Sequence, residues 1–517
     1  MRCWLGIDVG TTGTRALLID SKGKIVAAAT ADHPPIHMPE PQWAEQDPAD
    51  WWRAAKTAIP AALNAAGITG TQVVAVGLTG QMHGLVLLDA ADKVLGNSLI
   101  WCDQRSQGQV DWINGLVGAE NVLRWTCNPP LTAFTAPKLL WVRQHRPELY
   151  GQARKLLLPK DYVRFCLTGE YATEVSDASG TGLFDVAGRR WSAELVSALQ
   201  VDHSLLPRVE ESTVITGTIT RAAAEATGLL AGTPVVGGGG DQAAGGVGNG
   251  VVKPGLVSAT IGSSGVVFAA ADTPSYDPRG RIHTFCHAVP GKWHVMGVTQ
   301  GAGISLRWLR DQLGNSYGAT NAYDEITAAA AAVPPGSSGL IFLPYMMGER
   351  TPHLDPHARG AWIGLTAAHT RGHLARAVLE GVAFSLRDTL EIFRSLGVPI
   401  AEVRLAGGGA RSALWREIQA EIYRARCIVL ESTEGAAYGA AILAMVGTRE
   451  FSSVEEACEA CIRVRETVGA DPAFSAFYEE LYAEYGALYP ALRRSMHNLG
   501  RLERRLPASA APSGSGP

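Results

Sequence analysis

The chain has 517 residues, too many for a single core at about 100–200 residues per domain, so at least two domains are expected. Its 45 Lys and Arg against 49 Asp and Glu give a net charge of −4, with only 18% of residues charged. That balance excludes a polybasic nucleic-acid binder and an acidic disordered chain. Hydrophobic residues make up 46%, and the 58 glycines cluster at the ends of apolar runs, where backbone can approach a ligand.

The opening predicts three strands joined by tight turns, CWLGID, RALLID and KIVAAAT. A helix follows at DPADWWRAAKTAIPAAL, with Asp47 as N-cap and Pro48 at the first helical position. Next come a strand QVVAVGL, a loop TGQMHG and a strand LVLLDA. Around residue 255 the pattern restarts with LVSATIG, the loop SSG and VVFAAA. Gly10-Thr11-Thr12-Gly13 and Gly262-Ser263-Ser264-Gly265 stand 252 positions apart in the same local context, which predicts an internal duplication. EVRLAGGGA with RSALWREIQAEIY predicts strand, glycine loop and helix; RCIVLE and the small-residue helix GAAYGAAILAMVG follow. The expected domains are 1–252, which would bind the sugar-like substrate, and 253–490, with 491–517 as helix end and disordered Pro/Gly/Ser/Ala-rich tail.

Eight scattered cysteines are too few for a disulfide scaffold. Cys458 and Cys461 form a CxxC with no second pair, inside the helical stretch SSVEEACEACIRV, and read as structural. Asp8 interrupts the first apolar run, so no signal peptide is expected, and no stretch of about 20 apolar residues predicts a membrane span. A soluble cytoplasmic protein is the expectation.

The chemistry is expected at strand ends. Thr11 and Thr12 sit in a small-residue hairpin that can turn amides and hydroxyls toward an anion, and Arg15 can add a charged contact. Ser263 and Gly262 offer the second such hairpin, so that the pair predicts a phosphate clamp. Asp8, two residues before Gly10, is expected to position Mg²⁺ beside those phosphates. Four glycines, Gly237 to Gly240, lead into Asp241 and a small-residue helix; they predict a close approach to something bound, with Asp241 as proton acceptor for an attacking hydroxyl. The alternative for Asp241 is a helix N-cap. Gln81, Met82 and His83, with Trp101, Asp103 and Arg105, mix hydrogen-bonding groups and apolar walls as polyol recognition requires; Gln242 beside Asp241 joins them. No P-loop, no G-x-G-x-x-G and no zinc spacing occurs.

IDVGTTGT, GQMHG, WCDQR, FTAPKLLWV, LLPKDYVRFCLTGE, GGGDQAAG, IGSSG, FLPYMMGERTPHLDPHARG and LAGGGARS, in this order, resemble the FGGY carbohydrate kinase family. GQMHG, WAEQDPADWW and LLPKDY are closest to its xylulokinase branch. The resemblance covers the chain to about residue 490. It implies an α/β fold of two ribonuclease-H-like domains, of the actin and Hsp70 ATPase type, with an interdomain catalytic cleft. It further implies ATP as donor, D-xylulose as acceptor, Asp241 as general base and Asp8 beside metal and phosphate. By the same resemblance Met82 and His83 contact the ketose, Gly262 and Ser263 form the second phosphate loop, and Gly408, Gly409 and Ala410 lie beside the adenosine. A homodimer is what family members suggest. Cys102 stands where asparagine is usual, and IGSSG replaces the commoner LGTSG. The alternatives are a kinase for ribulose, L-xylulose or another polyol, and an actin/Hsp70-like ATPase without sugar transfer.

Overall fold

The computed structural model describes residues 1–313, 322–432, 434–503 and 505 of the 517. The expected opening strands are present as β1 (Cys3–Val9), β2 (Gly13–Asp20) and β3 (Ile25–Asp32), a continuous antiparallel set. Helix α1 (Pro48–Ala66) begins at the Asp47 cap, whose carboxylate accepts from the Ala49 amide, and ends on left-handed Gly67. Strand β4 (Val73–Gly80) then runs parallel to β1.

Strands β5 (Ile215–Thr218) and β6 (Pro234–Val236) complete a sheet of order β5-β6-β4-β1-β2-β3, with the two-residue strand Gly239–Gly240 also pairing with β4. The later strands are β7 (Gly255–Ile261), β8 (Gly265–Ala271), β9 (His283–Cys286), β10 (Trp293–Thr299), β11 (Ile400–Gly407), β12 (Arg426–Leu430) and β13 (Val464–Val468). They form a second seven-stranded sheet of order β9-β10-β8-β7-β11-β12-β13. The run β10-β8-β7-β11-β12 repeats, in chain order, the run β3-β2-β1-β4-β6. The duplication expected from the two hairpins is thus present in the strand order itself.

The chain divides into two compact units: Met1–Val257 with Phe268–Met296 and Leu430–Val464, and Ser258–Val267 with Gly297–Val429 and Arg465–Pro517. In the first, β1 is buried along almost its whole length and is apolar from Cys3 to Ile7 because helices cover the sheet. Trp51, Ala55, Ile59 and Ala62 of α1 line one core at helical spacing. The small-residue helix Gly435–Gly447 approaches so closely that a Cβ on Gly6 would lie 1.9 Å from the Ala437 carbonyl oxygen. Cys458 and Cys461 lie buried on the helix Val454–Cys461.

In the second unit Tyr478, Tyr485 and Tyr489 of the long helix Pro472–Glu503 are buried, while Phe474 and Phe477 near its start stay exposed. Tyr478 donates to Glu380 at 2.7 Å and Tyr485 meets Tyr345 at 3.0 Å. The segment Pro507–Pro517, expected to be disordered, lies outside the described residues. Among the described residues no helix is long and apolar enough to cross a membrane.

Candidate active site

Two carboxylates meet at the strand ends of the first unit. Asp8 and Gly239 are both in register with Thr79 of β4, one on each side, so they stand on the order of 10 Å apart across two strand spacings. Asp241 follows two residues later as the first residue of helix Asp241–Gly248. The N-cap is Gly240, with no side-chain cap bond, so the capping alternative for Asp241 is not what the structure contains.

Burial first, and then the charge of Asp8, raise the Asp241 carboxyl from 3.8 to about 7; donors from the Gln242 backbone and side chain oppose the rise. Burial likewise raises Asp8 to about 6, with Arg15 opposing. Asp8 Oδ1 is shut from solvent and has no hydrogen-bond partner among the described residues. An orphaned carboxylate oxygen beside a second acid fits a divalent cation, whose ligands are hard oxygens. Among the described residues no three His, Cys, Asp or Glu side chains gather as a metal cage, so the fit is to an ion completed by phosphates and water.

Packing requires glycine at Gly238, so that position does not serve only a bound group. Gly238 has φ +78°, and a Cβ there would lie 1.8 Å from the Leu78 carbonyl oxygen. A Cβ on Gly240 would meet the Met82 side chain at 2.9 Å. The run therefore presses Asp241's strand against β4 and Met82.

Several predicted contacts prove to be committed to the protein itself. Arg15, expected on a phosphate, forms a two-pronged pair with Glu434 at 2.6 and 2.7 Å, and its third nitrogen donates to Thr30 at 2.8 Å. The pairing of β1 with β2 sets Arg15 opposite Asp8, and its guanidinium is used to hold Glu434. Gln81 is buried and donates to Gln46 at 2.8 Å and to the Gly10 carbonyl at 3.3 Å. It braces the hairpin. Asp103 accepts from the Ala44 amide at 2.7 Å and from Arg105, whose guanidinium also pairs with Glu45 at 2.8 Å and lies 3.8 Å over Trp43. Both shape the loop from within. Gln242 donates to Asp241, as described above.

What remains at the surface of the site is a smaller set. Thr12 is the exposed tip of the first hairpin; Thr11 accepts from the half-exposed Trp101 indole at 3.0 Å. Met82 is buried against Gly180 and Gly240. His83 takes a left-handed φ of +70° and donates from Nδ1 to the Gly180 carbonyl at 2.7 Å. Its own carbonyl accepts from Thr135 at 3.1 Å and from Lys138 at 3.0 Å. Lys138 is fully buried, and burial lowers its ammonium to about 7 against the pull of Asp103 and Cys102.

The second hairpin opens a separate cavity of about 1220 Å³ inside the second unit. Gly262, Ser263, Gly303, Arg307, Arg310, Gly408 and Gly409 line it. Gly262 accepts from the Gly303 amide at 2.8 Å, and Arg307 donates to the Ser263 hydroxyl at 3.1 Å. Gly408–Ala410 form a tight turn after β11; Ala410 is buried, and its carbonyl accepts from Arg416 at 3.0 Å. A glycine-walled cavity with an arginine on its hairpin has the chemistry to take an anion.

Arg307, Lys138 and Gly180 were not singled out from the sequence. FTAPKLLWV was visible as a motif, but nothing local shows that its lysine reaches a carbonyl 55 residues earlier.

The chain is similar to known proteins along most of its length. Residues 3–248 match the N-terminal domain of the FGGY family of carbohydrate kinases, and residues 257–448 match its C-terminal domain. A xylulose kinase of Escherichia coli is 40% identical over 454 residues, covering 88% of this chain and 92% of that protein. One of Bacillus subtilis is 37% identical over 463 residues, covering 90% and 92%. The crystal structure of xylulose kinase from Rhodospirillum rubrum, 32% identical, superposes with a TM-score of 0.90 over 96% of this chain and all of that one. Two duplicated α/β sheets, a desolvated aspartate opening a helix and a glycine-walled cavity thus accompany matches along most of the sequence: the chain belongs to the FGGY family of carbohydrate kinases.

Proposed function

We propose that this chain transfers the γ-phosphoryl group of ATP to the 5-hydroxyl of D-xylulose, giving D-xylulose 5-phosphate and ADP. The observation that carries the reading is Asp241, a carboxylate raised to about 7 at the start of a helix, beside Met82 and the Gly180-anchored His83. A base whose affinity for protons lies near neutrality is ionised often enough to accept a proton and basic enough to hold it. Similarity to proteins described as xylulose kinases supports the choice of sugar.

In this reading Met82 and His83 hold the ketose on the first unit. The oxygen of the 5-hydroxyl forms the new bond to phosphorus while its proton passes to Asp241. The bond from phosphorus to the bridging oxygen breaks, and that electron pair leaves with ADP. The second unit holds ATP, with Ser263, the hairpin amides and Arg307 on its phosphates and Gly408 to Ala410 beside the adenosine. Asp8, together with the nucleotide phosphates, would hold Mg²⁺, which supplies positive charge against the negative charge of the transferring group. Arg15, Asp103, Arg105, Gln81 and Gln242 act on other side chains and on the hairpin. An ATP donor and eight cysteines outside any disulfide favour a cytoplasmic setting.

The test is a coupled ADP-release assay over a pentulose panel. The expected result is the highest kcat/KM for D-xylulose and little ADP without sugar. A higher kcat/KM for ribulose or L-xylulose would replace the substrate, and ADP release that no sugar stimulates would replace the transferase by an ATPase.

A further inference from the structure

Asp241 follows a run of four glycines, the most pliable backbone a chain can have, so something else must fix its direction. Two of the hydrogen bonds that hold the run lead to one buried acid, beside the Gly237 amide's bond to the Val214 carbonyl and the pairing of Gly239–Gly240 with β4. Glu174 is fully buried and N-caps the short helix Val175–Ser179, accepting from the Ser176 amide at 2.7 Å and the Asp177 amide at 2.8 Å. Its carboxylate also accepts from two hydroxyls, Ser176 and Ser212, each at 2.8 Å.

Both serines then reach the glycine run. The Gly240 amide donates to the Ser176 hydroxyl at 3.1 Å, and the Gly238 amide donates to the Ser212 carbonyl at 2.9 Å. Ser176 directs its own proton to Glu174, which turns a lone pair of the hydroxyl toward the Gly240 amide. A neutral or absent Glu174 would release that proton and with it the orientation of the hydroxyl. Behind Glu174 lies Lys160, 3.6 Å away and 2.7 Å from Asp161, which anchors the acid in an otherwise dry interior. The same short helix leads to Gly180, whose carbonyl holds His83.

We propose that Glu174, acting through Ser176 and Ser212, is the positioning residue for the Asp241 carboxylate. It touches neither reacting atom. Its effect is to hold the Gly238 and Gly240 amides so that Asp241 leaves the strand in one direction, and it therefore bears on turnover more than on binding. The proposal rests on Asp241 as proton acceptor.

The experiment compares Ser176→Ala, Ser176→Thr and Asp241→Asn with wild type, using D-xylulose and MgATP, on variants with wild-type circular dichroism. A misplacement of about 1 Å can cost on the order of 10²-fold in rate, so loss of the Ser176 anchor is expected to lower kcat about tenfold or more. Both KM values should stay within about twofold, and Ser176→Thr, which keeps the hydroxyl, should recover most of the rate. Wild-type kcat in Ser176→Ala overturns the proposal, and so does an equal loss in Ala and Thr, which would mean packing alone. Should Ser176→Ala fail to fold, Glu174→Gln takes its place: reduced kcat at unchanged KM supports the proposal and wild-type kcat overturns it. Asp241→Asn separates the two levels: if it turns over normally the base reading itself is lost, whereas an inactive Asp241→Asn beside a wild-type Ser176→Ala refutes only the positioning role.

Discussion

Replacing Asp241 by a neutral side chain should make this protein more stable at alkaline pH. Asp241 is raised from 3.8 to about 7 in the folded chain. A group whose folded value lies above its unfolded value contributes in full below the unfolded value. That contribution is lost as pH climbs from about 4 through about 7, and no further above. At 1.36 kcal/mol per pH unit, the rise from 3.8 to about 7 corresponds to about 4 kcal/mol of destabilisation at pH 8. Partial exposure of the carboxyl calls for discounting this to about half, so Asp241→Asn, a neutral group of the same shape, should gain about 2 kcal/mol there. At about 2 °C per kcal/mol this is a melting midpoint about 4 °C above wild type at pH 8, with the gap nearly closed at pH 4. The assay is a thermal melt of both proteins at the two values. An equal difference at pH 4 and pH 8, or a variant less stable at pH 8, would refute the desolvated, Asp8-facing carboxylate on which the mechanism is built.

The other groups separate by which substrate they affect. Arg307→Ala removes a cation from the Ser263 hairpin and should raise KM for ATP about tenfold or more, while KM for the sugar stays put; steady-state kinetics with each substrate varied in turn checks this. Lys138→Met takes a charged donor from the His83 carbonyl and should raise KM for the sugar about tenfold with KM for ATP unchanged, read from the same assay. Arg15→Ala breaks a partly exposed pair with Glu434 and an exposed hydrogen bond to Thr30; it should cost about 1 kcal/mol by urea unfolding and leave KM for ATP within about twofold.

Local chemistry in the sequence was enough to place the elements that carry the site. Asp47 and Pro48 announce the first helix, the paired Gly/Ser/Thr hairpins announce the duplicated sheets, and the glycine run announces Asp241 at a helix start. All of these are signals spread over fewer than ten residues. What a side chain does once the chain has folded is a different matter. Arg15 looks like a phosphate ligand until Glu434, 419 residues later, is brought to it. Gln81, Asp103 and Arg105 carry the groups that sugar recognition uses, yet burial obliges them to satisfy one another and nearby backbone. The glycines themselves admit two readings, room for a ligand or room for the chain, and only the 1.8 Å approach at Leu78 decides for Gly238. Glu174 sits in the unremarkable string ATEVSDAS, where its sequence offers an N-cap and nothing more.

The most direct measurement is phosphorus NMR of a reaction holding this protein, MgATP and D-xylulose, run in parallel with Asp241→Asn. The account predicts a new phosphate monoester, split by the two protons of C5, rising in step with ADP for the wild type and absent from the variant. Inorganic phosphate in place of the sugar ester, or an ester formed equally well by Asp241→Asn, would contradict it.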